Sequence, residues 1–570
     1  MPSGIVTVAS HLRALTSASA VHHAASRCSI IPLFCQDLAQ RSDNTASLVT
    51  FSTATKTLLE DDAGSSTYAE LLAQHALQLQ RELNAIRTRQ NSLTPLNRLP
   101  PEILSCVFIR LAEEISEDWN NKKKFSWLRV THVCRHWRAV ALDYAPLWSC
   151  ICHFVHPEIT KLMLERSKNA PLTIEISTFT KVAAQFTEVL REAFSQTHRW
   201  RSVTLNTASH DTPKLGKILA DATGPAPILK QLVLHNNKHV PQSLPPDFLL
   251  GGAPALETLQ LNSFDVPWNR LPLPSGLIML TLKGAIIRPL PSDFLKAIQS
   301  LTLLQRLALD SYLPDAGLPS SLPLPSLETL YSRDSWTRVS NLLDTIQVPN
   351  VEYLEVVLTD LTLPAAAVES CIQRIKCTVQ DRLKDLPGLS RLSIGNYDHT
   401  TSVFKLPAFE LRWDPQPSAA SKSGEEGDEG KLKPLLEVNI SFTNTRSFPL
   451  PQALASIYTH FNLITISTLS IDSSASLGQS GVFTDVFTKL PNLEKLSIIS
   501  TPLALLLFHM SLDPALSQKK KRIKGSKTIT PYFPALSNLV LVDIDFEDRS
   551  APKDILELLP EVVKKRPKPH

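Results

Sequence analysis

The side chains most suggestive of chemistry are Cys150-Ile-Cys152, followed at once by His153. Two thiolates and an imidazole are donors that zinc accepts, but a closed site needs four ligands, and no second pair follows at finger spacing. The reading is therefore no metal. The eight cysteines, at 28, 35, 106, 134, 150, 152, 371 and 377, form no CxxC pair, and several lie inside apolar patterns. That predicts reduced, mostly buried thiols of an intracellular protein rather than a disulfide framework. His22-His23 has no carboxylate nearby in sequence. Glu425, Glu426, Asp428 and Glu429 cluster, but in a stretch that no core would hold in catalytic register. There is no P-loop, dinucleotide glycine fingerprint, HExxH or GxSxG. The expectation is a protein with no catalytic residues and no cofactor.

The scaffold that would carry any site is long. At 570 residues the chain exceeds a single compact core and predicts several domains or an elongated repeat array. Glycine is scarce, 17 residues, and proline abundant, 42. Scarce glycine argues against loops that cradle phosphate, and abundant proline argues for many short, stiff connections. A net charge of +4 gives no general pull toward nucleic acid. No apolar run reaches the ~18 residues of a membrane span, so no membrane partner is expected. Residues 1–36 lack Asp and Glu and are rich in Ser and Ala, a composition shared by transit peptides. Their arginines are sparse and no amphipathic stripe is sustained, so residues 1–66 read as a disordered leader.

Residues 67–95 carry an amphipathic helix. Leu72, Ala76, Leu79, Leu83, Ile86, Gln90 and Leu93 alternate at spacings of 4 and 3, the seam of a short coiled coil. The helix could dimerise or pack on the module behind it. Packing is the simpler outcome, because three heptads are marginal alone and Gln90 is polar.

The next segment, 96–150, begins with Pro100 and Pro101 where a helix's first turn tolerates missing N–H groups, with Glu102 at the positive helix end. Ile103, Leu104, Val107, Phe108 and Leu111 share one face. A polar stretch, 113–124, interrupts. A second helix is expected to carry Val130, Val133, Cys134, Trp137, Val140 and Ala141 as one apolar stripe, closed by Pro146, with Leu147-Trp148 as a further anchor. The string Leu99-Pro-Pro-Glu-Ile-Leu104, then Val107-Phe108, Val133-Cys-Arg-His-Trp-Arg138 and Pro146-Leu-Trp148, resembles an F-box. It is similar in particular to the F-box-like proteins abundant in fungi. Each part alone is a weak signal, but all four stand in order over about 55 residues. The 113–124 segment is longer and more charged than in the shortest members.

The resemblance implies a small helical module that docks on a Skp-type adaptor and so joins a cullin-based ubiquitin ligase. The residues expected to bind the adaptor are Leu99, Pro100, Pro101, Ile103, Leu104, Phe108, Val133, Cys134, Trp137, Leu147 and Trp148. A unit this small cannot hide so many apolar groups within itself, and surplus apolar surface marks a partner site.

After a connector expected to be helical over 151–199, a phrase recurs from residue 200 to 548: apolar, two variable, apolar, one variable, apolar. Its copies begin at 229, 256, 277, 304, 327, 351, 389, 435, 466, 493 and 536. The first six starts fit a leucine-rich-repeat period of roughly 20–29 residues. Each copy predicts one strand of a parallel sheet, with helices or turns behind it. The longer intervals imply insertions or a skipped copy, with Phe409-Glu-Leu411 a candidate for the missed strand. Residues 416–433 read as a disordered insertion and 517–529 as a basic loop, with a tail over 549–570.

The expected fold class is thus α plus α/β, a small helical module followed by an irregular leucine-rich-repeat solenoid. The expected function is that of a non-catalytic substrate receptor in the cytoplasm or nucleus, with protein cargo on the repeats and no nucleic acid. Two alternatives stay open: a scaffold outside any ligase, and an enzyme on an irregular α/β fold.

Overall fold

The computed structural model of the chain describes residues 51–60, 66–117, 125–152, 156–176, 186–207, 216, 219–236, 241–284, 287–396, 407–415, 433–442, 450–472, 490–499, 533–542 and 555–564. The expected insertion at 416–433 (but for Lys433), the basic loop at 517–529, the residues 1–36 and the His22-His23 pair lie outside these. The chain divides into two units, Met1–Leu99 and Pro100–His570.

The first unit contains helices α1 (Thr53–Glu60) and α2 (Ser66–Leu93), then a 3-10 turn at Pro95–Arg98. Helix α1 falls inside the stretch expected to be disordered, and so corrects that boundary. It is tied to α2 by a hydrogen bond between Thr55 Oγ1 and His75 Nε2 at 2.8 Å, and by the Tyr68 hydroxyl donating to the Leu58 carbonyl.

The second unit opens with α3 (Pro101–Glu117), a 3-10 segment at Ser126–His132, α4 (Arg135–Asp143) and a 3-10 turn at Ala145–Trp148. A large sheet follows. Its strands, in chain order, begin with β1 (Cys150–Ile151), β2 (Leu172–Ile176), β3 (Trp200–Thr207), β4 (Gln231–Asn236) and β5 (Thr258–Asn262). Next come β6 (Met279–Lys283), β7 (Arg306–Asp310), β8 (Thr329–Asp334), β9 (Tyr353–Leu358) and β10 (Arg391–Asn396). The last are β11 (Pro407–Trp413), β12 (Leu436–Phe442), β13 (Thr468–Asp472), β14 (Lys495–Ile499) and β15 (Asn538–Val542). The connections carry α5 (Pro157–Arg166), α6 (Thr187–Ser195), α7 (Pro291–Gln299), α8 (Trp336–Leu343), α9 (Ala365–Thr378) and α10 (Leu450–His460), and the chain reaches a last helix, α11 (Ile555–Lys564).

Each recurring phrase in the sequence lands on a strand, and its fourth and sixth positions become two rows of side chains running across the sheet. Leu232 sits opposite Leu259, then Leu280, Leu307, Leu330 and Leu354 in succession. The phrase's first residue lies just before the strand and is buried as well: Leu229, Leu256, Leu277, Leu304, Leu327 and Val351 are all at most 1% exposed. Three buried groups per strand from β4 to β9, all apolar but for Ser332 in β8, are repeated by parallel pairing and make the continuous core that no single repeat could form.

The order of strands is β1 to β9 in sequence, then β12, β11 and β10, then β13 to β15. After β9 the chain passes through α9 to a place three strands further along, leaving room for two strands between. It then folds back through antiparallel β11 and returns as β12, parallel to β9. Helix α10 carries it onward to β13, parallel to β10. Both core rows survive this reversal. Leu354 meets Val438, which meets Leu411, then Leu392, then Leu469. An antiparallel strand inserted in register keeps alternate side chains on the same face. Phe409-Glu-Leu411, the candidate missed strand, is β11.

Three expectations are corrected. The 151–199 connector is not only helical, since it carries β1's end, β2 and the approach to β3, so the sheet starts some fifty residues earlier than expected. The single helix expected over 130–141 is broken: Cys134 adopts an extended backbone and caps α4, with 3-10 geometry before it. The tail contains α11, whose Ile555 and Leu558 are fully buried.

Candidate functional site

The F-box-like string folds around a closed interior. Leu104 and Phe108 are each 1% exposed, and Trp127, Val130, Val140, Ala141, Leu147 and Trp148 are buried with them. Trp127 meets Trp148 edge-on at 5.3 Å between ring centroids. The Trp148 indole N–H donates to the Ala141 carbonyl at 2.8 Å, and the Arg166 guanidinium lies 4.4 Å over its ring. These contacts assign Leu104, Phe108, Leu147 and Trp148 to the module's own core. Of the eleven residues expected to face an adaptor, these four are therefore corrected. They are what gives the others a fixed place.

The remaining seven are accessible to different degrees. Pro100, Pro101, Ile103 and Val133 are exposed, and Leu99, Cys134 and Trp137 are half-buried. Ile103 stands on the outer side of α3, in line with exposed Cys106 and Arg110, directly behind buried Leu104. Val133 is exposed because the chain turns there: the 3-10 segment ends, and the Cys134 sulfur accepts a hydrogen bond from the Trp137 N–H at 3.5 Å at the start of α4. Trp137 rests against Phe108 with ring centroids 5.2 Å apart, so one face of the indole packs on the core and the residue stays partly open. Ile103, beside Pro100 and Pro101 at the start of α3, and Val133, ahead of α4, are exposed apolar side chains of the kind that lose water on binding a partner, with charged Glu102, Arg110 and Arg135 exposed near them in sequence.

Cysteine chemistry differs from expectation. Cys150 and Cys152 are joined in a disulfide, with Cα atoms 5.6 Å apart. In an extended chain, residues two apart point to the same side, and that brings the two sulfurs together. They form one wall of a crevice of about 370 Å³ between the helical module and the first strands, lined also by Ile109, Phe125, Trp127 and Met163. Nor are the other thiols mostly buried: Cys106 and Cys377 are exposed, Cys134 is half-buried and only Cys371 is enclosed. Burial pushes the Cys371 thiol up to about 12. Cys28 and Cys35 lie outside the described residues.

The outer face of the sheet offers a second surface. Where strand order reverses, register places Tyr353, Glu437 and Arg412 in one row, and Glu355, Asn439 and Glu410 in the next. The Tyr353 hydroxyl donates to Glu355 at 2.7 Å, and the Asn439 amide donates to that hydroxyl at 3.2 Å and to Glu437 at 2.9 Å. Burial and the nearby Glu437 carboxylate raise the Glu410 carboxyl above its ordinary range, against the pull of Arg412. Burial likewise makes the Tyr331 and Tyr353 hydroxyls harder to ionise. Further along, buried Asp334 takes Arg288 at 2.6 Å and Arg338 at 3.2 Å, an ion-pair cluster that ties neighbouring repeats together. Among the described residues no group of three His, Cys, Asp or Glu could hold a metal ion, and no helix is long and apolar enough to cross a membrane.

Comparison with known proteins bears on the helical module alone. Residues 96–153 match the family model described as F-box-like. No curated protein matches the chain. Among solved structures, an internalin-like protein of Listeria monocytogenes is 14% identical over 51% of this chain and 89% of its own, with a TM-score of 0.20. A leucine-rich repeat-containing protein of Legionella pneumophila is 13% identical over 73% of this chain and 98% of its own, with a TM-score of 0.22. The repeat architecture here is read from the rows and register of this chain's own sheet. Residues 96–153 are an F-box-like module, and a leucine-rich-repeat-like sheet follows it.

Proposed function

We propose that this chain is the substrate-recognition subunit of a cullin-based ubiquitin ligase, acting in the cytoplasm or nucleus. The F-box-like module binds a Skp-type adaptor, the sheet's outer face holds protein cargo, and catalysis belongs to partner subunits. The observation that carries the reading is the division within the F-box-like string: its large side chains close a core, while Ile103, 44% exposed, and Val133, 51% exposed, stay outside with Pro100 and Pro101. An apolar surface held on a rigid core loses little conformational freedom on docking. The cargo face is supported by Tyr331, Tyr353 and Arg412 on it, since tyrosine and arginine are side chains that protein interfaces favour.

The test is calorimetry of the full chain with purified Skp-type adaptor, comparing wild type with an Ile103→Glu, Val133→Glu double variant. Binding by the wild type and its loss in a variant of unchanged melting temperature is the expected result. A folded wild type that does not bind adaptor would sink the ligase reading and leave a repeat scaffold as the account of this chain.

A further inference from the structure

The longest helix among the described residues has an exposed apolar seam. In α2 (Ser66–Leu93), Leu79 and Leu83 are each 41% exposed, Ile86 58% and Leu93 53%. These positions follow one another at spacings of 4, 3 and, across Gln90, 7, so they line one side of the helix at coiled-coil period. Helix α1 approaches near His75 and Tyr68, at the start of the seam. Around the seam the surface is polar and bonded along the helix itself: Gln78 donates to Glu82 at 2.9 Å and Gln80 to Asn84 at 3.2 Å. A solvated helix with a row of half-exposed leucines has a stripe made for another helix.

Charge selects the occupant. With Leu79, Ile86 and Leu93 at d and Leu83 and Gln90 at a, Glu82 falls at g and Arg87 at e of the following heptad. In a parallel, in-register pair, each g residue lies beside the e residue five positions on in the partner. Glu82 of each helix then meets Arg87 of the other, twice over because the pair is symmetric. Gln90 at a faces its own copy, a polar contact that fixes register in such pairs.

We propose that α2 is a homodimerisation helix, pairing in parallel and in register with α2 of a second copy of this chain. The pairing needs no adaptor and is independent of the ligase reading. Two joined chains would present two cargo faces, and a cargo with two recognition points would then bind the second at high effective concentration.

The experiment is sedimentation equilibrium on the full-length chain without any partner. The mass is expected to rise with concentration from 63.1 kDa towards twice that value. Leu83→Glu with Ile86→Glu is expected to hold the chain at the single-copy mass, whereas Leu77→Glu, equally exposed but off the seam, leaves the dimer intact. Both sites lie on helix surface, and circular dichroism confirms that helix content is kept. Glu82→Arg is expected to weaken pairing roughly tenfold, by turning two attractions into repulsions. Adding Arg87→Glu to it should restore the wild-type constant. A chain that stays at the single-copy mass at every concentration overturns the proposal, as does a dimer indifferent to the seam variants. A dimer lost with the seam but not rescued by the charge exchange overturns the parallel register.

Discussion

Ile103 and Leu104 are neighbours on one helix, yet they face opposite environments, and this gives a sharp test of which side of the module is a surface. Leu104 is 1% exposed among Phe108 and the module's tryptophans. Truncation to alanine there removes its burial and leaves a cavity, a loss of about 2–5 kcal/mol in stability. Ile103 is 44% exposed, so that share of its burial is still to be gained. Complete burial of such a side chain is worth about 1.5–3 kcal/mol, and the remaining fraction therefore about 0.7–1.3 kcal/mol on docking. That corresponds to an adaptor dissociation constant raised roughly 3- to 10-fold by Ile103→Ala. Two assays separate the effects: urea unfolding followed by fluorescence of the module's tryptophans, and calorimetric titration with adaptor at a temperature where both variants are folded. Leu104→Ala should lower the unfolding midpoint and leave affinity within about twofold, while Ile103→Ala should do the reverse. The reasoning is refuted if the two variants lose stability equally, or if affinity follows Leu104 and ignores Ile103.

Two other predictions concern titratable groups. The Glu410 carboxyl is raised in the folded chain by burial and by Glu437, so the folded state holds its proton more tightly than the unfolded one. Stability from this group is present at acidic pH and is lost as pH climbs past the ordinary carboxylate range. Glu410→Gln should therefore melt higher than wild type at neutral pH, with the difference closing on acidification; a constant difference would count against the assignment. Alkylation of the native, unreduced chain should modify exposed Cys106 and Cys377, spare Cys371, and leave Cys150 and Cys152 unmodified until a reductant is added. Peptide mass spectrometry reads this directly, and labelling of Cys150 before reduction would contradict the disulfide.

What the sequence made legible was whatever repeats. The phrase of three apolar positions located strands from β4 onward because each copy places aliphatic residues in the same rows. It passed over β3 although Trp200-x-x-Val203-x-Leu205 has the same form with all three groups buried, since its first position is aromatic whereas every recognised copy begins with an aliphatic residue. Strand β2 was missed for a different reason. Leu172, Ile174 and Ile176 alternate with period two and lack the leading apolar residue. The reversal at β11 was not legible, because the period-two alternation of Phe409, Leu411 and Trp413 reads the same both ways and leaves no mark of strand direction. In the F-box-like string the sequence identified the apolar residues but not their sides. An apolar stripe reports that a face is buried somewhere, and a single capping geometry at Cys134 sufficed to turn Val133 outward while Val130 stayed inside.

The boundary between module and sheet follows a design that appears twice. In α4 and the strand after it, Trp148 donates its indole N–H to the carbonyl of Ala141, seven residues back, and Ile151 enters the core three residues on. In α6 and β3, Trp200 donates to Ala193, again seven residues back and at 3.1 Å, with Val203 buried three residues on. The tryptophan donates to a carbonyl in the last turn of the helix, at Ala193 alongside the Gln196 N–H, and its ring is buried where the chain turns into the sheet. The last helix of the F-box-like module is thus also the first helix of the repeat array, and β1 pairs directly with β2. No linker separates the two. On the proposed reading, this fixes the distance and angle between an adaptor held at Ile103 and Val133 and a cargo held on the sheet. Selection among cargoes would then depend on where each one's reactive lysine falls as well as on how tightly it binds.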